Sequence, residues 1–83
     1  MSQIIEEVIE VLESLVEDLP SKPRTKLEKI IGDLKKLDET PAKDELLSIE
    51  EELEEFTDMA NVDSFTRIEV SNVISLLEQA LAE

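Results

Sequence analysis

Four amphipathic segments separated by short polar or proline-containing breaks make up the chain. Within each segment the apolar residues recur every three or four positions, which is the spacing of one face of a helix. Turn-forming residues separate the segments at 20–23, 40–41 and 61–64. The pattern predicts helices over about residues 3–19, 23–37, 41–58 and 64–82.

Residues typical of helix starts support these boundaries. Ser2 is expected to cap the first helix, Thr40 the third, and Asp63 or Ser64 the fourth, while Pro23 suits the first turn of the second. The residues expected to face the core are Ile4, Ile5, Val8, Ile9, Val11, Leu12, Leu15, Val16 and Leu19, then Leu27, Ile30, Ile31, Leu34 and Leu37, then Ala42, Leu46, Ile49, Leu53, Phe56 and Ala60, and finally Val70, Val73, Ile74, Leu77, Ala80 and Leu81.

The two halves of the chain share one pattern. Arg24, Leu27, Ile30, Ile31 and Leu34 recur forty-three positions later as Arg67, Val70, Val73, Ile74 and Leu77. The first and third helices match in the same way at a separation of forty-one. Short connections make neighbouring helices antiparallel. We therefore expect an all-α protein, a compact antiparallel four-helix bundle built from two similar hairpins, with residues 1–83 as a single domain.

Composition excludes several kinds of chemistry. The 83 residues contain neither cysteine nor histidine, so disulfides, thiolate nucleophiles, imidazole bases and most zinc sites are excluded. The predicted core positions contain no acids, which argues against a di-iron bundle site. The turn at Asp58, Asn61 and Asp63 lacks the spacing of a calcium loop, so we interpret these residues as turn caps. We expect no catalytic residue, no metal and no cofactor.

Charge indicates which partners are unfavourable. Twenty-two acidic and eight basic residues give a net charge of -14, which repels nucleic acid phosphates and anionic membranes. The first apolar segment is interrupted by glutamates, unlike a signal peptide or a membrane span. We therefore expect no binding to nucleic acid or membranes, and a cytoplasmic location.

The basic residues are unevenly placed. Six of the eight lie on the second helix or directly before it, between two acidic helices. Attraction between helices explains this better than phosphate or RNA binding, because aromatic residues for base stacking are absent. Arg24 and Arg67 start the second and fourth helices, where a cation opposes the helix dipole. We expect Asp18 and Asp58, respectively, to compensate them as structural ion pairs, with a paired anion site as the alternative.

The outer face of the fourth helix is nearly uncharged, in contrast to the rest of this acidic chain. Interface cores are depleted in charge, so this face is a candidate interface, with simple burial in the bundle as the alternative. Leu47, by contrast, is an isolated exposed leucine that needs no special role. The candidate interface residues are Phe65, Ile68, Ser71, Asn72, Ser75, Leu76 and Gln79.

Several of these positions carry a family resemblance that covers nearly the whole chain. The residues concerned are Glu17, Asp18, Pro23 and Arg24, with Thr66, Arg67, Glu69, Val70, Val73, Ile74, Ser75, Leu77 and Glu78. They resemble the small archaeal uncharacterised protein family 0147, whose members have no assigned function. The resemblance implies a four-helix bundle in an archaeal cytoplasm without catalysis. The chain departs from the family pattern at Ser71, where a bulky aromatic is common, and in the proline-free turn 59–63.

Two functions are consistent with these features. The first is a non-enzymatic protein-interaction or scaffold module that associates with an unknown protein or with itself, as a homodimer through the fourth helix. The alternative is a binder of divalent cations or basic ligands through the acidic face of the third helix, where Glu50, Glu51, Glu52, Glu54 and Glu55 lie. A plain solvated face is the simplest explanation for those glutamates.

Overall fold

Four α-helices are present in the computed structural model, which describes residues 2–37 and 41–82. They are α1 (Ser2–Val16), α2 (Ser21–Lys35), α3 (Lys43–Thr57) and α4 (Ser64–Ala82). No strand occurs in the two described ranges. The predicted fold class, an all-α four-helix bundle, is confirmed.

The first two helices start and end earlier than predicted. α1 begins at Ser2 itself, so Ser2 is helical rather than the residue before the helix. Its regular turns end at Val16, after which the Leu19 N–H donates to the Val16 carbonyl at 3.3 Å. α2 already begins at Ser21, with Pro20 as its N-cap. Pro23 is tolerated in that first turn because its missing N–H would have had no partner within the helix.

The start of α3 corrects the prediction of a threonine cap. Thr40 lies outside the described residues, Pro41 is buried ahead of the helix, and Ala42 is the N-cap. Alanine has no side-chain acceptor, but its backbone N–H donates to Glu45 Oε1 at 3.2 Å, which is half of a capping box. Ala42 and Ala60 were predicted to face the core, but both lie outside the ends of α3 and are exposed.

The helices form a closed ring in which each packs against two neighbours. α1 contacts α2 and α4, and α3 contacts the same two helices. Ion pairs between α2 and α3 give their relative direction: Lys26 pairs with Glu55, and Lys29 with Glu52. Because one residue number rises as the other falls, these helices are antiparallel. The molecule measures 33 × 19 × 18 Å.

The core lies along the centre of this ring and is almost entirely aliphatic. Positions that match between the two hairpins are buried in both, as the internal repeat predicts. Leu12 and its counterpart Leu53, for example, are both inaccessible to solvent. Ile74 and Leu81 are only partly buried, at the margin of the core. Four residues outside the predicted core are also buried, two of them in the first turns of α2 and α4 and two in the segments directly before α3 and α4. The additional buried residues are Pro23, Pro41, Val62 and Thr66.

Candidate interaction surface

The start of α4 is defined by the expected aspartate cap. Asp63 Oδ1 accepts a hydrogen bond from the Thr66 backbone N–H at 2.9 Å, and the Thr66 side chain is buried beneath it. Hydrogen bonds from the Thr66 side chain and backbone lower the pKa of Asp63. A cap of this kind fixes the first turn of the helix and therefore the direction of each later side chain.

All seven candidate residues on α4 lie within one arc of the helix surface, which we call the α4 face. At 100° per residue they span about 140°, from Ser71 to Leu76. Phe65 and Ile68 are 64% and 62% exposed. Leu76 is partly buried against the core, and the other members, Ser71, Asn72, Ser75 and Gln79, are exposed. Phe65 and Ile68 are therefore exposed apolar side chains, whereas Leu76 packs against the core.

Charged residues occur on α4 only beside the α4 face. Arg67 and Glu78 lie about 20° apart on one flank, and Glu69 lies on the other. The first flank adjoins α3, because Arg67 donates to the Met59 carbonyl and Glu78 acts electrostatically on Glu50. The second flank therefore adjoins α1. The α4 face is thus an uncharged strip between two charged borders.

Two apolar residues of α1 lie beside α4, outside the charged border of the α4 face. On α1, Glu13 pairs with Lys35 and so marks the flank that adjoins α2. Ile4 and Val11 lie about 160–180° away around the helix, on the flank beside α4, and both are partly buried. Their apolar character is visible in the sequence, but the neighbouring helix is known only from the packing.

The cations at the starts of α2 and α4 have partners different from those predicted. Arg24 Nε lies 3.9 Å from Glu28 Oε2, one turn further along its own helix, and forms no ion pair with Asp18. The Arg67 side chain donates to the backbone carbonyl of Met59 at 3.2 Å, and not to Asp58. Met59 lies just beyond the C-terminal end of α3, where the helix dipole is negative, so a cation is favourable there without a carboxylate. The two arginines do not form the predicted ion pairs.

The basic residues of α2 connect it to both acidic neighbours. Lys26 Nζ lies 3.2 Å from Glu55, Lys29 Nζ 2.9 Å from Glu52, and Lys35 Nζ 2.8 Å from Glu13. Hydrogen bonds to Glu52 and Asp33 raise the pKa of Lys29. These contacts support the interpretation of the basic helix as intramolecular compensation.

The acidic run on α3 is spread around the helix and does not converge. Glu52 and Glu55 face the lysines of α2, whereas Glu51 and Glu54 are exposed. Glu50 is half-buried, with an Oε2 atom that has no hydrogen-bond partner. Burial, followed by repulsion from Glu78 and from its own helix neighbours, raises the pKa of Glu50.

No group of three or more metal-ligating side chains occurs among residues 2–37 and 41–82. Within those same residues, none of the helices has both the length and the apolar content needed to cross a lipid bilayer. Comparison of the chain with protein-family models, curated proteins and solved structures finds no match. The resemblance to family 0147 therefore stays a prediction.

Proposed function

We propose that this protein is a non-enzymatic interaction module of the cytoplasm that associates with a second copy of itself through the α4 face. The observation that carries the proposal is the exposure of Phe65 and Ile68, at 64% and 62%, on a strip without charge. In a chain with a net charge of -14, such a strip is the surface best suited to an interface core.

The absence of charge on the α4 face is compatible with a second copy as its occupant. A basic partner would be attracted to carboxylates, and the α4 face contains none. Two acidic copies repel each other over most of their surfaces, so the repulsion between them is smallest where the contacting surfaces are uncharged. At physiological ionic strength, charges more than about 8 Å apart are largely screened, which reduces the remaining repulsion.

The size of the face indicates a weak association. α4 has nineteen residues, which gives a length of about 28 Å, and a strip about 12 Å wide then covers roughly 340 Å². Standard protein interfaces bury about 800 Å² on each partner. Even with Ile4 and Val11 beside it, the α4 face falls in the range of transient complexes.

Sedimentation measured from about 10 μM to about 1 mM tests the proposal, since weak complexes dissociate in this range. We expect the average mass to rise from 9.4 kDa toward twice that value as concentration increases. Ile68→Glu places a charge in the α4 face and should keep the protein monomeric. Leu47→Glu is the matched control, because it adds the same charge at a 48% exposed leucine on α3 and should still associate.

Circular dichroism shows whether each variant keeps its helices, and both sites are exposed enough for the fold to tolerate glutamate. A wild-type mass that stays at 9.4 kDa throughout the concentration range contradicts self-association. Equal loss of association in the two variants would show that net charge, and not the α4 face, governs it.

A further inference from the structure

We infer that the cleft between the end of α1 and the start of α4, which we call the α1–α4 cleft, binds the side chain of a lysine from a partner protein. Its lining includes Leu15, Asp18, Leu19, Asp63, Phe65 and Thr66. The cleft lies at one end of the bundle, and lysine binding there does not require self-association through the α4 face.

Two segments that are distant in the sequence form the α1–α4 cleft. The segment after α1 contributes Asp18, and the turn before α4 contributes Asp63. Because α1 packs against α4, the two segments lie side by side. Leu15 and Thr66 are buried and therefore form the bottom of the cleft, whereas the two aspartates are exposed.

The volume of the α1–α4 cleft suits one side chain. The cleft encloses about 260 Å³. Pockets that hold drug-sized ligands and cofactors range from about 300 to 1,000 Å³. The cleft is therefore better matched to a single extended side chain than to a nucleotide or another cofactor.

The chemistry of the lining matches a long cation. Leu15, Leu19 and Pro20 provide apolar surface, against which the methylene stem of a lysine can pack. Asp18 and Asp63 provide exposed carboxylates, and none of the described residues that line the cleft is basic. The ammonium group of lysine ends a flexible four-carbon stem. It can therefore reach the carboxylates while the stem stays on the apolar surface.

Both carboxylates are able to accept a cation from outside the chain. No ion pair among residues 2–37 and 41–82 includes Asp18. Asp63 accepts a hydrogen bond from the Thr66 N–H, which lowers its pKa and keeps it ionised. A carboxylate has about four lone-pair sites, so capping leaves Asp63 able to accept from an ammonium group. The net charge of -14 also attracts a basic partner.

The helix ends and an aromatic ring complete the electrostatics of the cleft. The negative end of the α1 dipole and the positive end of the α4 dipole meet here and offset each other, so the side chains determine the sign of the local charge. Phe65 is 64% exposed and lines the cleft. An ammonium group is attracted to the face of an aromatic ring. A lysine therefore has an advantage over an uncharged side chain of the same length.

Titration of the protein with two blocked tripeptides, followed by amide NMR spectra, tests the site. One peptide is glycine-lysine-glycine, and in the other norleucine replaces the lysine, which keeps the stem and removes the ammonium group. The protein is kept at about 50 μM, where a weak dimer is little populated. We expect the lysine peptide to shift the amide signals of Leu19, Asn61 and Phe65 in a saturable way, and the norleucine peptide to shift them little. Equal shifts with the two peptides overturn the inference.

Variants of the two aspartates show whether the cleft or the net charge governs binding. Asp18→Asn and Asp63→Asn should each raise the Kd of the lysine peptide about two- to fivefold, as expected for exposed ion pairs. Asparagine at position 63 still caps α4. Glu10→Gln is the matched control, because it removes the same charge from an exposed position on α1 and should leave the Kd nearly unchanged. An equal increase in the control overturns the inference, since net charge would then explain the binding.

Spermidine distinguishes a free polyamine from the lysine of a partner. Saturable shifts with spermidine and none with the lysine peptide would identify a polyamine as the occupant and overturn the inference. Failure here is also distinguishable from failure of the proposed function. The peptide titration observes the monomer, so a negative result leaves self-association through the α4 face standing, and a monomeric mass in sedimentation leaves the lysine site standing.

Discussion

Replacement of Glu50 by glutamine should stabilise the protein, because the wild-type carboxylate lies in an unfavourable place. Glu50 is half-buried, its Oε2 has no hydrogen-bond partner, and Glu78 on α4 repels its charge. Glu50→Gln keeps the size of the side chain and removes its charge. The glutamine amide still occupies the same half-buried place, so the gain comes from removing the charge and its repulsion, and the partial exposure of Glu50 limits it to about 1 kcal/mol.

The gain should depend on pH with a definite sign. The raised pKa of Glu50 means that the folded state binds its proton more tightly than the unfolded chain, where the value is near 4.5. Stability associated with this group therefore increases as pH falls through the raised pKa, and the unfavourable charge is present above that pKa. The advantage of Glu50→Gln should be largest above the raised pKa and should disappear below about pH 4.5.

Urea denaturation followed by far-ultraviolet circular dichroism measures this difference, since the chain has no tryptophan or tyrosine for fluorescence. At pH 7 the gain corresponds to a Tm about 4–8 °C higher for a domain of this size. The low-pH measurement is best made near pH 3. The isoelectric point is about 4.2, and near that pH the protein has little net charge and tends to precipitate.

Glu10→Gln is the matched control, because it removes the same charge from an exposed position on α1. Both variants should be compared at one protein concentration, since association adds to apparent stability. The reasoning is refuted if Glu50→Gln is no more stable than Glu10→Gln at pH 7, or if its advantage persists unchanged at pH 3.

Three further predictions, two of them with control variants, test the fold. Phe56→Ala removes a fully buried ring and should lower the free energy of unfolding by about 3–5 kcal/mol, enough to unfold much of a domain this small. Leu47→Ala, at an exposed site, should change it by under about 0.5 kcal/mol. Urea titration measures both. Gly32→Ala should stabilise α2 by about 0.5–1 kcal/mol and raise the Tm, because a methyl group there meets nothing within 4 Å. Asp63→Ala should lower the Tm at pH 7 more than Asp63→Asn does, since asparagine still caps the helix. Because the pKa of Asp63 is lowered, the difference between wild type and Asp63→Ala should shrink as pH falls below 3.8; a constant difference would count against the cap.

Much of the α4 face could be predicted from the sequence. Helical spacing places Phe65, Ile68 and Asn72 on one side, and the lack of acids among them is visible without coordinates. The position of Ile4 and Val11 beside α4 could not be predicted in the same way. An apolar residue at the edge of a helical stripe faces whichever helix packs there, and periodicity within one helix does not identify that neighbour.

The sequence by itself determined four helices, most of the aliphatic core and the absence of cysteine and histidine chemistry, because helical periodicity and composition are local properties. Only the tertiary structure decided the helix ends, the partners of Arg24 and Arg67, and the position of Glu50 beside Glu78. The contacts of Arg67 and Glu50 depend on how α4 packs against α3 and the turn that follows it. A backbone carbonyl and the burial of a carboxylate take part in these contacts, and neither can be read from the one-letter sequence.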